Sequence, residues 1–319
     1  MSNKKLGIVM DDIKLIKPYK DSSLAMLLEA QSRGWEIYYM QIDDLFQHDS
    51  ISFAHYHPLT VSDDNIWYQL KDRSTVQLDQ LDIILMRKDP PFNLEYIYAT
   101  YLLEQAEDNG CLIVNKASSL RDCNEKLYTR EFPQCCPPNL ITRKAELIHD
   151  FMKQHKDIIL KPLDGMGGES IFRIKLGDPN TNVIIESVTR NGNRQTMAQR
   201  FLPEISDGDK RILLINGEPI DYALARIPKP GENRGNIAAG GSTRGQPLSA
   251  RDRWICQQIG PDLRARGLIF VGIDVIGDYL TEINVTSPTC IRELDAQFDI
   301  NISATLFDHL ENRPDIAIN

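Results

Sequence analysis

The sequence has no apolar run that approaches the ~20 residues needed to cross a bilayer, so we expect no membrane contact. Clustered basic residues are also missing: the formal net charge is -9, whereas a nucleic-acid-binding surface needs lysine and arginine to neutralise phosphates. The first residues lead directly into the apolar segment Leu6 to Met10, without the hydrophobic core and cleavage site of a signal peptide. These absences predict a cytoplasmic protein that binds neither membranes nor nucleic acid.

Cysteine occurs at only six positions, and none of their spacings is that of a metal site. Without a secretion signal, we expect the thiols to be reduced. Cys135 and Cys136 precede two prolines, which is typical of a loop, and we expect Cys290 to pack rather than to act as a nucleophile.

Two common nucleotide-binding motifs are absent as well. No Gly-x-Gly-x-x-Gly follows the first predicted strand, which removes the key feature of a dinucleotide-binding fold. No Gly-Lys-Ser/Thr closes the glycine-rich run near Gly165, so this run is not a Walker loop. What the chain does have is size: 319 residues, 42% of them hydrophobic, are enough for a large core divided into two or three units.

The N-terminal third predicts a small unit of alternating strands and helices. Short apolar segments at 37–42 and 81–86 are predicted strands, and Asp21 offers a cap for the helix that follows it. This alternation favours a mainly parallel sheet. We expect residues 43–80 to be irregular, apart from a weak strand near 56–61.

Two charged residues of this unit are candidate ligand contacts. Open α/β sheets bind ligands outside the carboxyl ends of their strands. Arg87 follows the strand at 81–86, and Asp21 precedes the first helix. Ordinary loop charges are the alternative interpretation for each.

The segment from Asp274 to Pro288 is the most informative part of the chain. It predicts two strands joined by a tight turn, with Glu282 and Asn284 on one face because side chains alternate along a strand. Two carboxylates and an amide oxygen are ligands suited to Mg²⁺ shared with nucleotide phosphates. If Gly277 and Asp278 formed a plain two-residue turn, Asp274 would face away from Glu282. We therefore expect a three- or five-residue connection, since a shared face requires an odd loop or a bulge.

A lysine and a glycine-rich run predict a phosphate-binding flap. Lys161 ends an apolar strand, where burial costs free energy unless an anion meets it. Gly165, Met166, Gly167 and Gly168 follow, and glycines let the backbone N–H groups approach phosphate oxygens. A simple β-hairpin turn is the alternative.

Three other segments add to a nucleotide site. The predicted strand that contains Gln199, Arg200, Phe201 and Leu202 can offer backbone groups to an adenine edge. Arg211 follows Asp209 in a predicted hairpin that turns at Asn216-Gly217, and its guanidinium is suited to phosphate. Lys126 offers another cation from a predicted helix.

The run from 227 to 244 is rich in glycine and proline and has few large apolar residues. Such a run has little to pack against, so we expect a mobile lid. Arg226 and Arg234 place positive charge at its start and within it. A disordered linker is the alternative.

The order of these segments resembles the ATP-grasp ligases, and within them the bacterial glutathione synthetases. The most similar runs are 86–92, 160–168 and 281–290, and the similarity extends from about Leu6 to His309. The resemblance implies an α/β fold in which an N-terminal open parallel-sheet (pre-ATP-grasp) domain, 1–123, precedes a two-lobed ATP-grasp α+β domain. It places the central lobe at 124–202 and the C-terminal lobe, with lid and metal hairpin, at 203–316.

The resemblance also implies a reaction: ATP-dependent ligation of γ-glutamylcysteine to glycine through an acyl phosphate. ATP would be bound by two lysines, Lys126 and Lys161, and by the glycine-rich flap at 165–168. The 199–202 segment, Asp209 and Asn284 would complete the nucleotide site. Asp274, Glu282 and Asn284 would hold Mg²⁺, with Mn²⁺ as an alternative ion. Arg211, Arg226 and Arg234 would act in catalysis, and the family suggests a homotetramer. A D-alanyl-D-alanine or glutamate-adding ligase, or a non-enzymatic ATP-binding module of the synapsin kind, remain alternatives.

Overall fold

Three β-sheets organise the protein, of which the computed structural model describes residues 4–165, 168, 170–229 and 241–313. Met166, Gly167 and Arg234, all predicted site residues, lie outside these ranges. The three sheets lie within residues 5–114, 139–200 and 209–284. The predicted domain limits fall between them and stay a prediction.

The first sheet has a parallel centre and an antiparallel extension. Its strands are β1 (Lys5–Val9), β2 (Glu36–Met40), β3 (Leu45–His48), β4 (Ile51–Val61), β5 (Tyr68–Leu70), β6 (Ser74–Gln77), β7 (Ile83–Met86) and β8 (Leu112–Val114). Strands β2, β1, β7 and β8 are parallel neighbours, as the alternating pattern predicts. Strand β4 pairs antiparallel with β2, β3, β5 and β6. The expectation of irregular structure over 43–80 is therefore wrong, whereas the strand expected near 56–61 is confirmed as part of β4.

Helices cover the parallel part of this sheet. They are α1 (Ser22–Ser32), α2 (Leu94–Asp108) and the short α3 (Ala117–Asp122). Asp21 caps α1 as predicted, because its Oδ1 accepts a hydrogen bond from the Leu24 amide at 2.7 Å. All four residues of β7 are buried, which is typical of a strand covered on both faces.

The second sheet is antiparallel and smaller. Its order is β11-β10-β12-β9, from β9 (Asn139–Thr142), β10 (Asp157–Pro162), β11 (Phe172–Lys175) and β12 (Thr196–Arg200). Helices α4 (Ala145–His155) and α5 (Thr181–Thr189) pack on it around a core that contains Ile148, Leu160 and Ile185.

The third sheet carries the predicted metal hairpin. Its order is β15-β14-β13-β16-β17, all antiparallel, from β13 (Asp209–Ile215), β14 (Glu218–Ile227), β15 (Ser242–Pro247), β16 (Phe270–Ile276) and β17 (Tyr279–Asn284). The predicted turn at Asn216-Gly217 is confirmed by its left-handed backbone. Helices α6 (Ala250–Ala265), α7 (Ile291–Phe298) and α8 (Ile302–Glu311) follow in the chain.

Both ends of the predicted lid belong to strands. Arg226 and Ile227 belong to β14, and residues 242–244 belong to β15, where Arg226 pairs with Thr243. The strand pairing therefore extends into both ends of the predicted loop. Residues 230–240 lie outside the described part of the chain.

Polar contacts hold the first and third sheets together. Asn115, after β8, donates from its amide to the carbonyls of Phe270 and Val285 at 2.8 and 2.7 Å, and accepts from the Phe270 amide. Arg33 at the end of α1 forms an ion pair with Glu311 of α8 at 2.8 Å. Within the described ranges, no helix has the length and apolar character of a membrane span.

Candidate active site

A cavity of about 440 Å³ lies where the three sheets meet. The N-terminal unit contributes Asp21 and Asp89, among others, and the second sheet contributes Lys161. Predicted site residues among those that line the cavity are Lys161, Gly165, Gly168, Gln199, Arg200, Phe201, Leu202, Asp209, Arg211, Arg226, Asp274, Glu282 and Asn284. The fold therefore gathers into one place residues that are far apart in the sequence.

The hairpin of β16 and β17 brings two carboxylates onto one face by means of a bulge. Gly277 and Asp278 form a two-residue turn, because Ile276 pairs with Tyr279, so the predicted longer connection is wrong. The register then shifts, and Asp274 pairs with Glu282. The extra residue is Thr281, whose hydroxyl donates to the Asp274 carbonyl at 3.1 Å. The bulge therefore places Asp274 and Glu282 on one face of the sheet, as the sequence analysis required of an odd loop or a bulge.

Asp274 is held by two arginines. Arg211 bonds both carboxylate oxygens, at 2.5 and 3.0 Å, and Arg226 approaches Oδ2 at 2.9 Å. Burial alone would raise the pKa of Asp274, but the charges and hydrogen bonds of the two arginines lower it far below its usual range. Gly272 makes room for this arrangement, since a Cβ there would lie 2.9 Å from Cδ of Arg211. Asp274 is therefore ionised throughout the physiological range.

Glu282 lies near two lysines rather than arginines. Its Oε1 lies 3.3 Å from Nζ of Lys161 and 3.6 Å from Nζ of Lys126. Burial opposes ionisation, but the charges of Lys126 and Lys161 lower the pKa of Glu282. Asn284 lies two residues further along β17, on the same face, and its Nδ2 donates to Asp274 at 3.4 Å.

Lys126 is 2% exposed and lies next to the cavity lining. It precedes a short 3₁₀ helix at Tyr128–Glu131, so its predicted place within a helix is wrong. Its Nζ donates to the Gly165 carbonyl at 2.9 Å and also contacts the Glu125 carboxylate. One ammonium group therefore connects the glycine-rich run to the carboxylates of the site.

Glu125 is a cavity residue that the sequence reasoning missed. Burial, and next the charge of Glu282, raise the pKa of Glu125 to about 7. The backbone carbonyl of Glu125 also accepts a hydrogen bond from the Ile283 amide at 2.8 Å, which attaches this turn to β17. In the sequence, only its position beside Lys126 points to this role.

The other end of the cavity is more apolar. Ile159 of β10 pairs with Gln199 of β12, and both line the cavity. The guanidinium of Arg200 lies over the Tyr279 ring at 5.1 Å. Further apolar lining residues, missed in the sequence because isolated isoleucines carry no motif, are Ile171, Ile205 and Ile276. The isoleucines offer apolar surface on which a heterocyclic ring can pack.

Asp209 and Arg226 form an ion pair at 2.5 Å. Burial raises the pKa of Asp209 to about 6 in spite of the arginine. Its Oδ1 is buried and has no hydrogen-bond partner among the described residues.

Asp21 lines the cavity, in agreement with its position at a strand-helix connection. Arg87 is buried and is not one of the lining residues. It donates to the Ser23 hydroxyl at 3.1 Å and to the Pro288 carbonyl at 2.9 Å, which connects the N-terminal unit to the segment after β17.

The donors of the hairpin fit a magnesium ion that is shared with phosphates. Asp274, Glu282 and Asn284 present carboxylate and amide oxygens on one face, which is the ligand chemistry of Mg²⁺. In the part of the chain that the structure describes, no group of three or more His, Cys, Asp or Glu forms a cage for a metal. The set therefore suits an ion held by a few protein oxygens together with a nucleotide.

Comparison with known proteins agrees with this geometry. Residues 5–121 match the N-terminal domain of prokaryotic glutathione synthetase, and residues 125–299 match its ATP-grasp domain. A glutathione synthetase of Pseudomonas aeruginosa is 59% identical over 95% of this chain and 96% of its own length. One of Vibrio vulnificus is 59% identical over 97% of this chain and 98% of its own.

Solved structures with the same fold are more distant in sequence. The D-cycloserine synthetase DcsG is 13% identical, with a TM-score of 0.66 over 96% of this chain and 98% of that one. The ATP-grasp ligase PsnB, in complex with a precursor peptide and AMPPNP, is 15% identical, with a TM-score of 0.62 over 98% of each chain.

Fold and site together define an ATP-dependent ligase of the ATP-grasp type, and the predicted fold class is confirmed. The chain belongs to the prokaryotic glutathione synthetase family and has glutathione synthetase function.

Proposed function

We propose that this chain joins γ-glutamylcysteine to glycine, consumes ATP, and forms an acyl phosphate on the way. A carboxylate resists attack by an amine because its carbonyl carbon is electron-rich. Transfer of a phosphoryl group to the cysteinyl carboxylate creates a leaving group, and attack by the glycine amine then forms the amide and releases phosphate. The observation that carries the proposal is one cavity around which the Asp274–Arg211–Arg226 and Glu282–Lys161–Lys126 groups lie side by side.

The two ends of the cavity suggest how ATP lies. We assign the adenine to the slot around Gln199, Arg200, Phe201 and Leu202, and assign the phosphates to Lys126, Lys161 and the glycine-rich run. We assign Asp209 to the nucleotide as well, since it lines the same cavity and its buried Oδ1 has no hydrogen-bond partner among the described residues. Lys126 already bonds the Gly165 carbonyl, so phosphate binding and the position of the flap are expected to depend on each other.

Asp274, Glu282 and Asn284 would hold Mg²⁺ or Mn²⁺. When bound, the ion would neutralise phosphate charge. The protein's own contribution is mostly position and fixed charge. Arg211 and Arg226 are buried beside Asp274, which holds them in place to meet the substrate carboxylate and the transferred phosphoryl group. Arg234 and the rest of the predicted lid would exclude water; the homotetramer and the cytoplasmic location also remain proposals.

A comparison of substrates tests the proposal. The purified protein is incubated with ATP, Mg²⁺ and one donor–acceptor pair: γ-glutamylcysteine with glycine, D-alanine with itself, or a glutamyl peptide with glutamate. We expect phosphate release and amide formation only with the first pair. A product from another pair would indicate a different ligase. ATP binding without any product would indicate a binding module.

A further inference from the structure

We propose that Arg251 is a positioning residue that sets the width of the slot assigned to adenine. Arg251 is the second residue of α6 and lies outside the cavity lining. It acts through two backbone segments, the turn of the β16–β17 hairpin and the chain that leads into β9. The role rests on the proposed placement of adenine beside Gln199 and gives Arg251 no contact with ATP itself.

One guanidinium group joins these two segments. Nε of Arg251 donates to the carbonyl of Asp278, in the hairpin turn, at 3.0 Å, and Nη2 donates to the carbonyl of Gln134 at 3.2 Å. The side chain of Gln134 also contacts Gln258, further along α6, at 3.3 Å. The start of α6 therefore holds the hairpin turn and the segment around Gln134 at a fixed separation.

The ring of Trp254 restricts the guanidinium to one orientation. Trp254 lies one helical turn after Arg251, and Cζ of Arg251 is 4.1 Å from the centre of the ring. Residues spaced in this way share a face of a helix, and an arginine is attracted to an aromatic face. A half-buried arginine that would otherwise exchange rotamers is thus held with both donors directed at backbone carbonyls.

The hairpin turn forms one wall of the adenine slot. Ile276 ends β16 and lines the cavity, and Tyr279 begins β17 and lies 5.1 Å from the guanidinium of Arg200. Asp278 lies between these two residues in the chain. The hydrogen bond to its carbonyl therefore holds the part of the third sheet that faces β12.

The chain held at Gln134 leads to the opposite wall. It enters β9 at Asn139, which pairs with Gln199 of β12. Immediately before β9, the Pro138 carbonyl accepts a hydrogen bond from the Arg200 amide at 3.0 Å. Gln199 and Arg200 both line the cavity. Loss of the bridge should consequently allow the two walls to separate at the adenine end.

The phosphate end has its own supports. Glu282 pairs with Lys161 and Lys126 at 3.3 and 3.6 Å, and Lys126 also donates to the Gly165 carbonyl. These contacts do not pass through α6. Arg251 should therefore affect the binding of the base much more than the binding of the phosphates.

Direct binding measurements separate the two ends of the nucleotide. Arg251→Met keeps a side chain of similar length but removes both hydrogen bonds. Its dissociation constant for ADP with Mg²⁺, measured by isothermal titration calorimetry, should rise by about threefold or more. The dissociation constant for tripolyphosphate, which has no base, should stay at the wild-type value. KM for ATP should rise with that for ADP, while KM for γ-glutamylcysteine should not change.

Two further variants serve as controls. Arg253→Met removes an exposed arginine of the same helix, which pairs with Asp221 at 3.0 Å, and should leave both dissociation constants unchanged. Ile159→Ala removes apolar surface within the slot itself and should weaken the binding of ADP but not of tripolyphosphate. Thermal unfolding establishes that each variant is folded at the temperature of the titration.

The possible failures are distinguishable. If Ile159→Ala weakens ADP binding and Arg251→Met does not, the role of Arg251 is overturned. Equal weakening of ADP and tripolyphosphate in Arg251→Met would also overturn it, because a general loosening is not specific to the base. ADP binding that neither variant changes would overturn the placement of adenine, and the positioning role with it. Since binding is measured without ligation, failure to join γ-glutamylcysteine to glycine would be detected separately.

Discussion

The two central carboxylates meet different kinds of cation. Asp274 lies in the forks of two arginines, whereas Glu282 lies near two lysines at 3.3 and 3.6 Å. An arginine fork holds a carboxylate in a fixed geometry, while a lysine is a point charge on a flexible stem. We therefore expect Glu282 to be the carboxylate that changes partners when phosphate and metal bind.

Replacement of Glu282 by glutamine tests that role. The change keeps the volume but removes the charge that is needed for the metal, so kcat for ligation should fall by about a hundredfold or more. The circular dichroism spectrum should stay the same. Glu186→Gln is the matched control on the surface. Near-normal turnover of the Glu282 variant at saturating Mg²⁺ would show that the assigned metal role is wrong.

Glu125 gives the ligand-free protein a defined pH dependence. Its pKa is about 7 in the folded state, against 4.5 for an ordinary glutamate. Between pH 4.5 and about 7, Glu125 keeps its proton in the folded state but has lost it in the unfolded state. The contribution of Glu125 to the free energy of unfolding therefore decreases as the pH rises through this range, and it is constant above about pH 7. Glu125→Gln does not titrate. The unfolding free energy of the variant minus that of wild type should therefore increase from pH 5 to 7, as followed by denaturant titration at several pH values. A difference that is flat or falls would contradict the shift.

At the scale of elements, the β16–β17 hairpin shows what a sequence pattern can and cannot determine. Alternation requires an odd loop or a bulge, and the structure has the bulge at Thr281. The signal that could have located it is the spacing of Leu280 and Ile283. Both are fully buried in the same core although three positions apart, which a regular strand would place on opposite faces.

Deletion of Thr281 tests the bulge. Without this residue, the two-residue turn leads directly to the pairing of Asp274 with Glu282, and Leu280 and Ile283 keep their face. We expect a folded enzyme that retains more ligation activity than Glu282→Gln. Insertion of one alanine after Thr281 should instead displace Glu282 along the strand and abolish activity. Loss of activity in the deletion, equal to that in the insertion, would contradict this account of the register.

A buried ion pair supports the same hairpin. Lys210 of β13 contacts the Asp252 carboxylate, which is 0% exposed, and donates to the Gly277 carbonyl at the turn at 3.1 Å. Asp252 also caps α6 through Ser249. The pair thus connects the start of α6 to the turn of the metal hairpin.

Lys210→Met leaves the Asp252 carboxylate buried without its cation, which typically costs about 3–5 kcal/mol. We expect a loss of unfolding free energy of that order in urea denaturation. Lys153→Met removes an exposed ion pair on α4 and should change stability by less than about 1 kcal/mol. Equal stability of the two variants would show that the buried pair does not support the hairpin.

Strands β3, β5 and β6 and the first half of β4 could not be found from the sequence, because most of their side chains are partly or fully exposed. Such strands are stabilised by pairing with β4 rather than by apolar runs. The buried strands β1, β7 and β10 carry continuous apolar segments and could be predicted directly.

At the scale of the whole molecule, the cavity depends on all three sheets. The sequence was enough to predict many of the polar residues that line the cavity. These residues lie beside a predicted strand or the glycine-rich run. The sequence did not predict which cation lies beside which carboxylate. The pairing of Asp274 with arginines, and of Glu282 with lysines, depends on contacts between residues up to 156 positions apart. Glu125 was missed for the same reason.

The central claim is that one cavity transfers phosphate to a carboxylate and then joins that carboxylate to an amine. Its most direct test uses γ-glutamylcysteine labelled with ¹⁸O in both oxygens of the cysteinyl carboxylate. The account predicts that the released phosphate contains one ¹⁸O for each tripeptide formed, with the other ¹⁸O in the new amide carbonyl. Phosphate without ¹⁸O, or label found in AMP, would contradict the acyl phosphate and the account built on it.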